Sequence, residues 1–386
     1  MRLLRNHIMP DDSHERALKA LERRGRLREL SPRSGVDFSS NDYLGLANSP
    51  QLTEAVATAL QRGVAVGAGG SRLLRGNDPE HEALEDEARS FFGAESCLYF
   101  GGGFVANYAL FSTLPARSDL VVHDALIHAS VIDGMRAGKA TIAAARHNAP
   151  QSFDDAIVRW RATGGTGRPW IAVESLYSMD GDCAPLADLI AVTRRHDGIL
   201  VVDEAHATGV LGPGGRGLAH ALEGAPDVIS LHTCGKALGA SGALLLAPRI
   251  IRDYLVNRAR PFIYATAPSP LMATAVRAAL DLVLRTPERR ERLANLVAYT
   301  GRELERLCGI APSGSHIQPV ILGSDQKAIS VAKALVAAGF DVRAVRPPTV
   351  PEGTARLRIS LTLNAGEEAT SRLLDTLAAI LRKVPA

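Results

Sequence analysis

Cysteine is scarce and scattered in this chain: four among 386 residues, at Cys97, Cys183, Cys234 and Cys308, with no Cys-x-x-Cys spacing. This excludes a zinc ribbon and a disulfide framework and fits a reducing compartment, so a cytoplasmic protein is expected. Long apolar runs are missing as well. No stretch approaches the ~18 residues a membrane span needs. Residues 1–9 lack the apolar core of an export signal, with acidic Asp11 and Asp12 close behind, so no export signal and no membrane partner are expected. Charge of one sign is lacking too. The formal net charge is +3, and the arginines are dispersed apart from Arg23, Arg24, Arg26 and Arg28, which leaves nucleic acid no electrostatic footprint. Internal repeats, low-complexity tracts and flexible linkers are not found.

What is present is ordinary for a large globular protein, with 46% hydrophobic and 22% charged residues. The length suggests two to three domains. Ala17, Leu18, Leu21 and Leu27 recur among charges and predict an amphipathic helix over 13–30. A short strand follows at 36–38, then a polar turn in which Asn41 reads as an Asx turn, a helix cap or a functional side chain. A helix over 51–62 leads to a glycine-rich path at 67–76, and another helix opens at His81. From residue 97 strand signals alternate with helical ones: 97–100, 120–124, 140–145, 170–174, 198–203, 228–231 and 242–246. Such alternation predicts an α/β fold with a mostly parallel sheet flanked by helices. Beyond residue 286 the pattern changes to a smaller α+β lobe. The expected division is an N-terminal helical segment at 1–40, a large α/β domain at 41–285 and a small C-terminal domain at 286–386.

The chain has six lysines, and only Lys236, in Thr233-Cys-Gly-Lys236, lies among small residues between two apolar strand signals. That setting suits covalent chemistry with an aldehyde better than a solvated face. Cys234 beside it has no His–Asp partner in the pattern and is not read as a nucleophile. Asp124, Glu174, Asp203 and Thr233 all fall at expected strand ends, where ligands of parallel sheets collect. Pyridoxal phosphate (PLP) would match this set. Lys236 would form the Schiff base, Asp203 would keep the pyridinium nitrogen protonated, and His206 would reach the ring hydroxyl. The turn Gly101-Gly-Gly103-Phe104 between strand and helix offers free amides to an anion, or is a tight turn without a ligand. With Ser178 and Thr233 it is the candidate phosphate site, and His128 is the candidate to lie flat on the ring. The glycine spacing matches neither a dinucleotide fingerprint nor a P-loop, which argues against a nicotinamide-dependent oxidoreductase.

Read in order, the motifs resemble the α-oxoamine synthase family of fold-type I PLP enzymes, from about residue 15 to the C-terminus. The carriers are Ser39-Ser-Asn-Asp-Tyr-Leu-Gly-Leu46, Gly103-Phe-Val-Ala-Asn107, His128-Ala-Ser130, Ser178-Met-Asp-Gly-Asp182, Asp203-Glu-Ala-His206, Thr233-Cys-Gly-Lys236, Arg346-Pro-Pro-Thr-Val-Pro351 and Gly353-Thr-Ala-Arg-Leu-Arg358. The resemblance implies a decarboxylating condensation of L-alanine with pimeloyl-CoA or a pimeloyl carrier protein, a step of biotin biosynthesis. Arg358 and Asn41 would hold the amino-acid carboxylate, Lys236 would take the α-proton, and His128 would polarise a carbonyl. Arg28 and Thr349 match substrate contacts of the family. The resemblance also implies a homodimer with shared sites, in which Thr266 reaches the neighbour's phosphate. Alternatives within the fold are a relative that joins glycine to acetyl-CoA or succinyl-CoA, and a catalytically silent partner subunit.

Overall fold

The computed structural model of the protein describes residues 12–30 and 32–383; residues 1–9, read above for an export signal, lie outside them. Helix α1 (Asp12–Arg23) stops well short of residue 30. Gly25 adopts a left-handed φ of +66°, which turns the chain out of the helical path. After β1 (Val36–Asp37), helices α2 (Pro50–Gln61) and α3 (Pro79–Phe92) begin where a capping side chain precedes a proline. Ser49 accepts the Leu52 amide, and Asp78 forms a capping box with His81, so amides that the first turn leaves free are satisfied.

The alternating region then unfolds as the pattern predicts. It runs β2 (Ser96–Phe100), α4 (Gly103–Thr113), β3 (Leu120–Asp124), α5 (Ala129–Ala137), β4 (Thr141–Ala145), α6 (Pro150–Ala162), β5 (Pro169–Glu174), α7 (Leu186–Arg195) and β6 (Ile199–Asp203). Next come β7 (Val228–Thr233), β8 (Ala243–Ala247), α8 (Arg249–Arg258), α9 (Arg260–Ile263) and α10 (Pro270–Arg285). Strands β2 to β8 form one seven-stranded sheet in the order β2-β8-β7-β6-β5-β3-β4. Only β8 runs against its neighbours.

The buried strands are apolar on both faces because helices cover both. Val121, Trp170, Val201 and Ile229 pack with Ala106 and Leu110 of α4 and Val131 of α5. The alternate residues Val122, Ile171, Leu200 and Val202 pack with Phe153 and Ile157 of α6 and Leu189 of α7. Edge strand β4 is mostly exposed. Strands β3 and β5 lie side by side although the chain leaves them for opposite halves of the sheet, so a crevice opens at their carboxyl ends. Asp124, Glu174, Asp203 and Thr233 are the last residues of β3, β5, β6 and β7.

The C-terminal part contains α11 (Pro287–Cys308), β9 (Ile317–Gly323), α12 (Asp325–Ala337), β10 (Phe340–Asp341), β11 (Arg343–Val345), β12 (Ala355–Ser360) and α13 (Gly366–Leu381). Its antiparallel sheet has the order β11-β12-β9. Strand β1 pairs with β10, the Ser360 amide donates to the Phe38 carbonyl at 2.8 Å, and the Leu363 amide donates to the Tyr43 carbonyl at 3.1 Å. These bonds lay the segment carrying Asn41 along the strand carrying Arg358. Among the described residues no helix is long and apolar enough to cross a membrane.

Candidate active site

Lys236 leaves β7 on a tight loop held by the Cys234 amide on the Gly242 carbonyl and by the Gly239 amide on the Lys236 carbonyl, both at 2.9 Å. Gly239 has φ +63°, and a Cβ there would collide with the Ala47 backbone, so the loop is pressed against the segment that carries Asn41. The Lys236 Nζ lies 2.6 Å from His206 Nε2. Burial pushes the amine down to about 8, against the pull of the Asp203 and Glu174 carboxyls. His206 is held well below its ordinary range, first by burial and then by the positive charges of Lys236 and Arg358; the imidazole is neutral.

Asp203 sits at the crevice end of β6. Its Oδ1 accepts the Ala205 amide at 2.9 Å, and its Oδ2 accepts Asn107 Nδ2 at 2.7 Å. Asn107 also reaches Ser130 Oγ at 3.0 Å, and Ser130 Oγ lies 2.8 Å from His128 Nδ1. The Ser130 amide donates to the same nitrogen at 3.2 Å, so His128 caps α5. His128 is exposed, yet enough protein surrounds its ring that burial lowers its pKa, with Asp203 opposing that effect and Lys236 adding to it. Glu174, paired in register with Asp203, is buried. Burial and the Asp203 charge push its carboxyl up to about 8. Its Oε2 accepts the Ser178 amide at 3.1 Å, while Oε1 has no partner.

The start of α4 has the features of an anion cradle. Gly101 and Gly102 have open space where side chains would be, and Thr233 Oγ1 lies 3.6 Å from the Cβ position of Gly103. The Gly103 and Phe104 amides are free in the first turn of α4. Ser178, expected at the same phosphate, is buried, and its carbonyl accepts Arg358 Nε at 2.6 Å. Thr266 is exposed after α9.

Arg358 and Asn41 do meet. Arg358 Nη2 donates to Asn41 Oδ1 at 3.0 Å and to Tyr43 Oη at 3.3 Å, and Nη1 donates to Ser360 Oγ at 2.6 Å. Thr349 is exposed on the loop after β11 and borders a cavity of about 250 Å³ with Leu126, Ile127 and Met179. An adjoining cavity of about 170 Å³ shares Thr349 and Met179 and is lined by Arg26, Arg28 and Arg346. Arg26 is paired with Asp325 and Glu352, each at 2.7 Å, whereas Arg28 has no carboxylate partner among the described residues. A larger cavity, about 410 Å³, lies on the far side of His316 along α11, and holds none of the strand-end groups.

Three residues were not given roles from sequence. Asn107 lies one turn into α4, four residues after Gly103, and this spacing alone would have put both on one helix face. Glu174 was legible only as a strand end. Tyr43 stood only within the motif Ser39–Leu46, and its buried hydroxyl was not foreseeable.

The residues fit PLP: a low-pKa lysine, a buried acceptor at a strand end, an open glycine turn at a helix start, and the unpartnered Glu174 Oε1 beside them. The sequence profile of the aminotransferase class I and II family matches residues 33–377. An 8-amino-7-oxononanoate synthase of Anaeromyxobacter dehalogenans (strain 2CP-1 / ATCC BAA-258) is 41% identical over 384 residues, covering 95% of each chain. The synthase of the same name from Chromobacterium violaceum is 43% identical over 348 residues, covering 90% of this chain and 89% of its own. The chain belongs to the 8-amino-7-oxononanoate synthase family.

Solved structures agree with this family's fold. A serine palmitoyltransferase from S. paucimobilis, determined with PLP bound, superposes with a TM-score of 0.87 at 26% identity, covering 96% of this chain and 97% of its own. An 8-amino-7-oxononanoate synthase from Francisella tularensis gives a TM-score of 0.77 at 27% identity, covering 91% and 98%. As a member of the synthase family the chain is a PLP-dependent acyltransferase, and the expectations of fold class, cofactor and enzyme type from sequence are borne out.

Proposed function

We propose that the enzyme condenses L-alanine with pimeloyl-CoA, or with a pimeloyl carrier protein, releasing CO₂ and the free thiol and forming 8-amino-7-oxononanoate for biotin biosynthesis. The observation that carries this reading is Arg358. Its guanidinium is buried and, among the described residues, is bonded only to neutral oxygens, those of Ser178, Ser360, Asn41 and Tyr43. A buried cation without an anion is costly, and a bidentate carboxylate supplies what it lacks.

PLP, attached through Lys236, would supply an electron-withdrawing ring conjugated to the amino-acid nitrogen. Asp203 would keep the ring nitrogen protonated, fixed in place by Asn107 and Ala205. Gly103, Phe104 and Thr233 would hold the phosphate, with Ser178 closing the same end. Lys236, neutral for much of its time near pH 8, would remove the alanine α-proton and return one after CO₂ leaves. Arg358 and Asn41 would hold the carboxylate out of that path. His128 would lie over the ring face with Nε2 free, because its Nδ1 is engaged by Ser130, and would donate to the thioester carbonyl. Thr349 and Arg28 would hold the acyl donor, whose chain would follow the two cavities joined at Met179.

Leu74, Phe104 and Tyr264 are large apolar groups left exposed and support a homodimer, in which Thr266 of one copy would meet the phosphate of the other. The residues 286–386 would act as a small domain against a large one at 41–285.

The test is product analysis of the purified protein loaded with PLP. L-Alanine and pimeloyl-CoA should yield thiol, CO₂ and 8-amino-7-oxononanoate in equal amounts. Turnover of glycine with acetyl-CoA or succinyl-CoA instead would move the substrate. No visible absorbance with PLP, or a band unaffected by Lys236→Ala, would sink the catalytic reading in favour of a silent subunit.

A further inference from the structure

The cavity of about 410 Å³ along α11 lies outside everything the proposed reaction uses. Its long wall is one face of that helix. Arg290, Ala294, Val297, Gly301 and Glu305 recur at spacings of three and four, which stacks them on one side of α11 over about 22 Å by helical rise. The facing wall is the turn Val210-Leu211, together with the segment that leads through Ser315 and His316 into β9. Ala294 and Ala298 are exposed and Val297 and Leu211 are half-buried, so the middle of the groove is apolar and open to a ligand from solvent.

Charge stands only at the ends. Arg302 and Glu305 are exposed at one end, one turn apart on α11, and offset each other. Arg290 stands alone at the other. It is half-buried, its Nη1 donates to the Val283 carbonyl, and it has no carboxylate partner among the described residues. Glu288 and Glu291 act on it only through their charge, and burial outweighs them in lowering its pKa. A guanidinium has five N–H donors, so most of those on Arg290 remain to be met. His316 adds no charge to the wall. It is buried, its ring centroid lies 4.0 Å from that of Tyr43, and burial with the Arg358 charge pushes its pKa down to about 3; its Nε2 has no partner among the described residues.

We propose that this groove is a binding site for an aliphatic carboxylic acid, with the carboxylate on Arg290 and the chain lying between Val297 and Leu211 towards Gly301. The class follows from the walls. Their middle offers no hydrogen bonds, so a polar ligand would lose its water there without replacement. A peptide fares no better, because its backbone N–H and C=O groups would go unmet. An alkyl chain loses nothing, and an anionic head supplies the half-buried guanidinium with what it lacks. The volume lies within the range of small-ligand pockets. This groove shares no residue with the two cavities that hold Thr349, Met179 and Arg28. It does share its backing with the candidate PLP site, since the Val210-Leu211 turn follows shortly after His206 and the His316 ring packs on Tyr43.

Calorimetric titration of the PLP-loaded full chain with hexanoate, octanoate and decanoate is the test. Each methylene taken into the groove should tighten binding about three- to fourfold, so the dissociation constant should fall roughly tenfold at each step of the series. Arg290→Gln should weaken decanoate about five- to tenfold, as befits a partly exposed ion pair, and leave decanol unchanged. Ala298→Trp places a ring in the groove from an exposed position and should weaken both by more than about tenfold. Equal affinities across the series, or affinities that neither variant changes, overturn the site. Binding that survives Ala298→Trp but is lost in Arg28→Ala belongs to the cavities at Met179 and overturns it as well. A change in association state of Ala298→Trp, by sedimentation velocity without any acid, would give the groove to a second copy of the chain instead. Should Ala298→Trp fail to fold, the contrast of decanoate with decanol in Arg290→Gln decides.

Discussion

The two ends of the crevice are built differently. At the cofactor end Asp203, Glu174 and Thr233 terminate adjacent strands, so sheet hydrogen bonds fix their spacing, and Asn107, Ser130 and His206 fill in a buried network around them. At the proposed acyl end Arg28 and Thr349 lie exposed on irregular segments beside a cavity. A group fixed by a sheet can tune proton affinities through its neighbours. A group on a loop can add binding but little tuning. Substitutions at the first end should therefore change rates, cofactor affinity and pH dependence, and substitutions at the second should change KM alone.

The largest expected effect is at Lys236. Lys236→Ala should reduce the rate of α-proton exchange from L-alanine in D₂O, followed by proton NMR, by about 10²–10⁴-fold, the range for loss of a positioned general base. Exchange at an undiminished rate would remove Lys236 from that role. Arg358→Lys keeps the charge but loses the fork geometry. It should cost about 1.5–3 kcal/mol of carboxylate binding, seen as a roughly ten- to hundredfold rise in the KM for alanine with the acyl-donor KM unchanged. Asn107→Ala leaves Asp203 Oδ2 without its side-chain donor and should weaken PLP binding about tenfold, a loss on the scale of one buried hydrogen bond to a charged group; equilibrium dialysis would measure it. At the acyl end Arg28→Ala should raise the acyl-donor KM by about threefold, as befits an exposed charge, and a larger change in kcat than in KM would contradict the contrast.

A pH test probes the support beneath the crevice. His147 bridges Asp124 at 2.8 Å and Asp182 at 2.7 Å. Burial opposes its charge, but hydrogen bonds to both carboxylates prevail and raise its pKa. The sign follows from linkage: a raised folded pKa means the stabilisation is complete below the ordinary histidine value of ~6.5 and is lost as pH climbs through the raised one. Thermal midpoints should fall over that window, and His147→Gln should flatten the fall.

Much of the cofactor end was legible in the sequence because its logic is local. An apolar run that stops at Asp203, a lysine among small residues between two strand signals, and a glycine turn before a helix each carry their meaning within a few residues. The parallel sheet followed from the alternation. What escaped was whatever depended on distant partners. Helix α1 looked continuous to residue 30 because the apolar spacing persists past Gly25, and the backbone angle at that glycine decided otherwise. Tyr43 touches His206 across 163 residues, and nothing in an Asn-Asp-Tyr turn reveals which imidazole its hydroxyl will meet. Ser178 and Thr266 were assigned to the phosphate by resemblance, Thr266 to that of a second copy, and local sequence physics says nothing of either placement.

The pairing of β1 with β10 also sets an order of events in the making of the molecule. Lys236, Asp203 and the start of α4 belong to one continuous stretch that leaves the ribosome early, whereas Arg358 meets Asn41 across 317 residues. A nascent chain folding from its N-terminal side would thus assemble the strand ends before it possesses the proposed Arg358–Asn41 clamp. On the proposed reading, a chain cut short before β12 would keep Lys236 and Asn41 but lack the Arg358 guanidinium that would hold a substrate carboxylate.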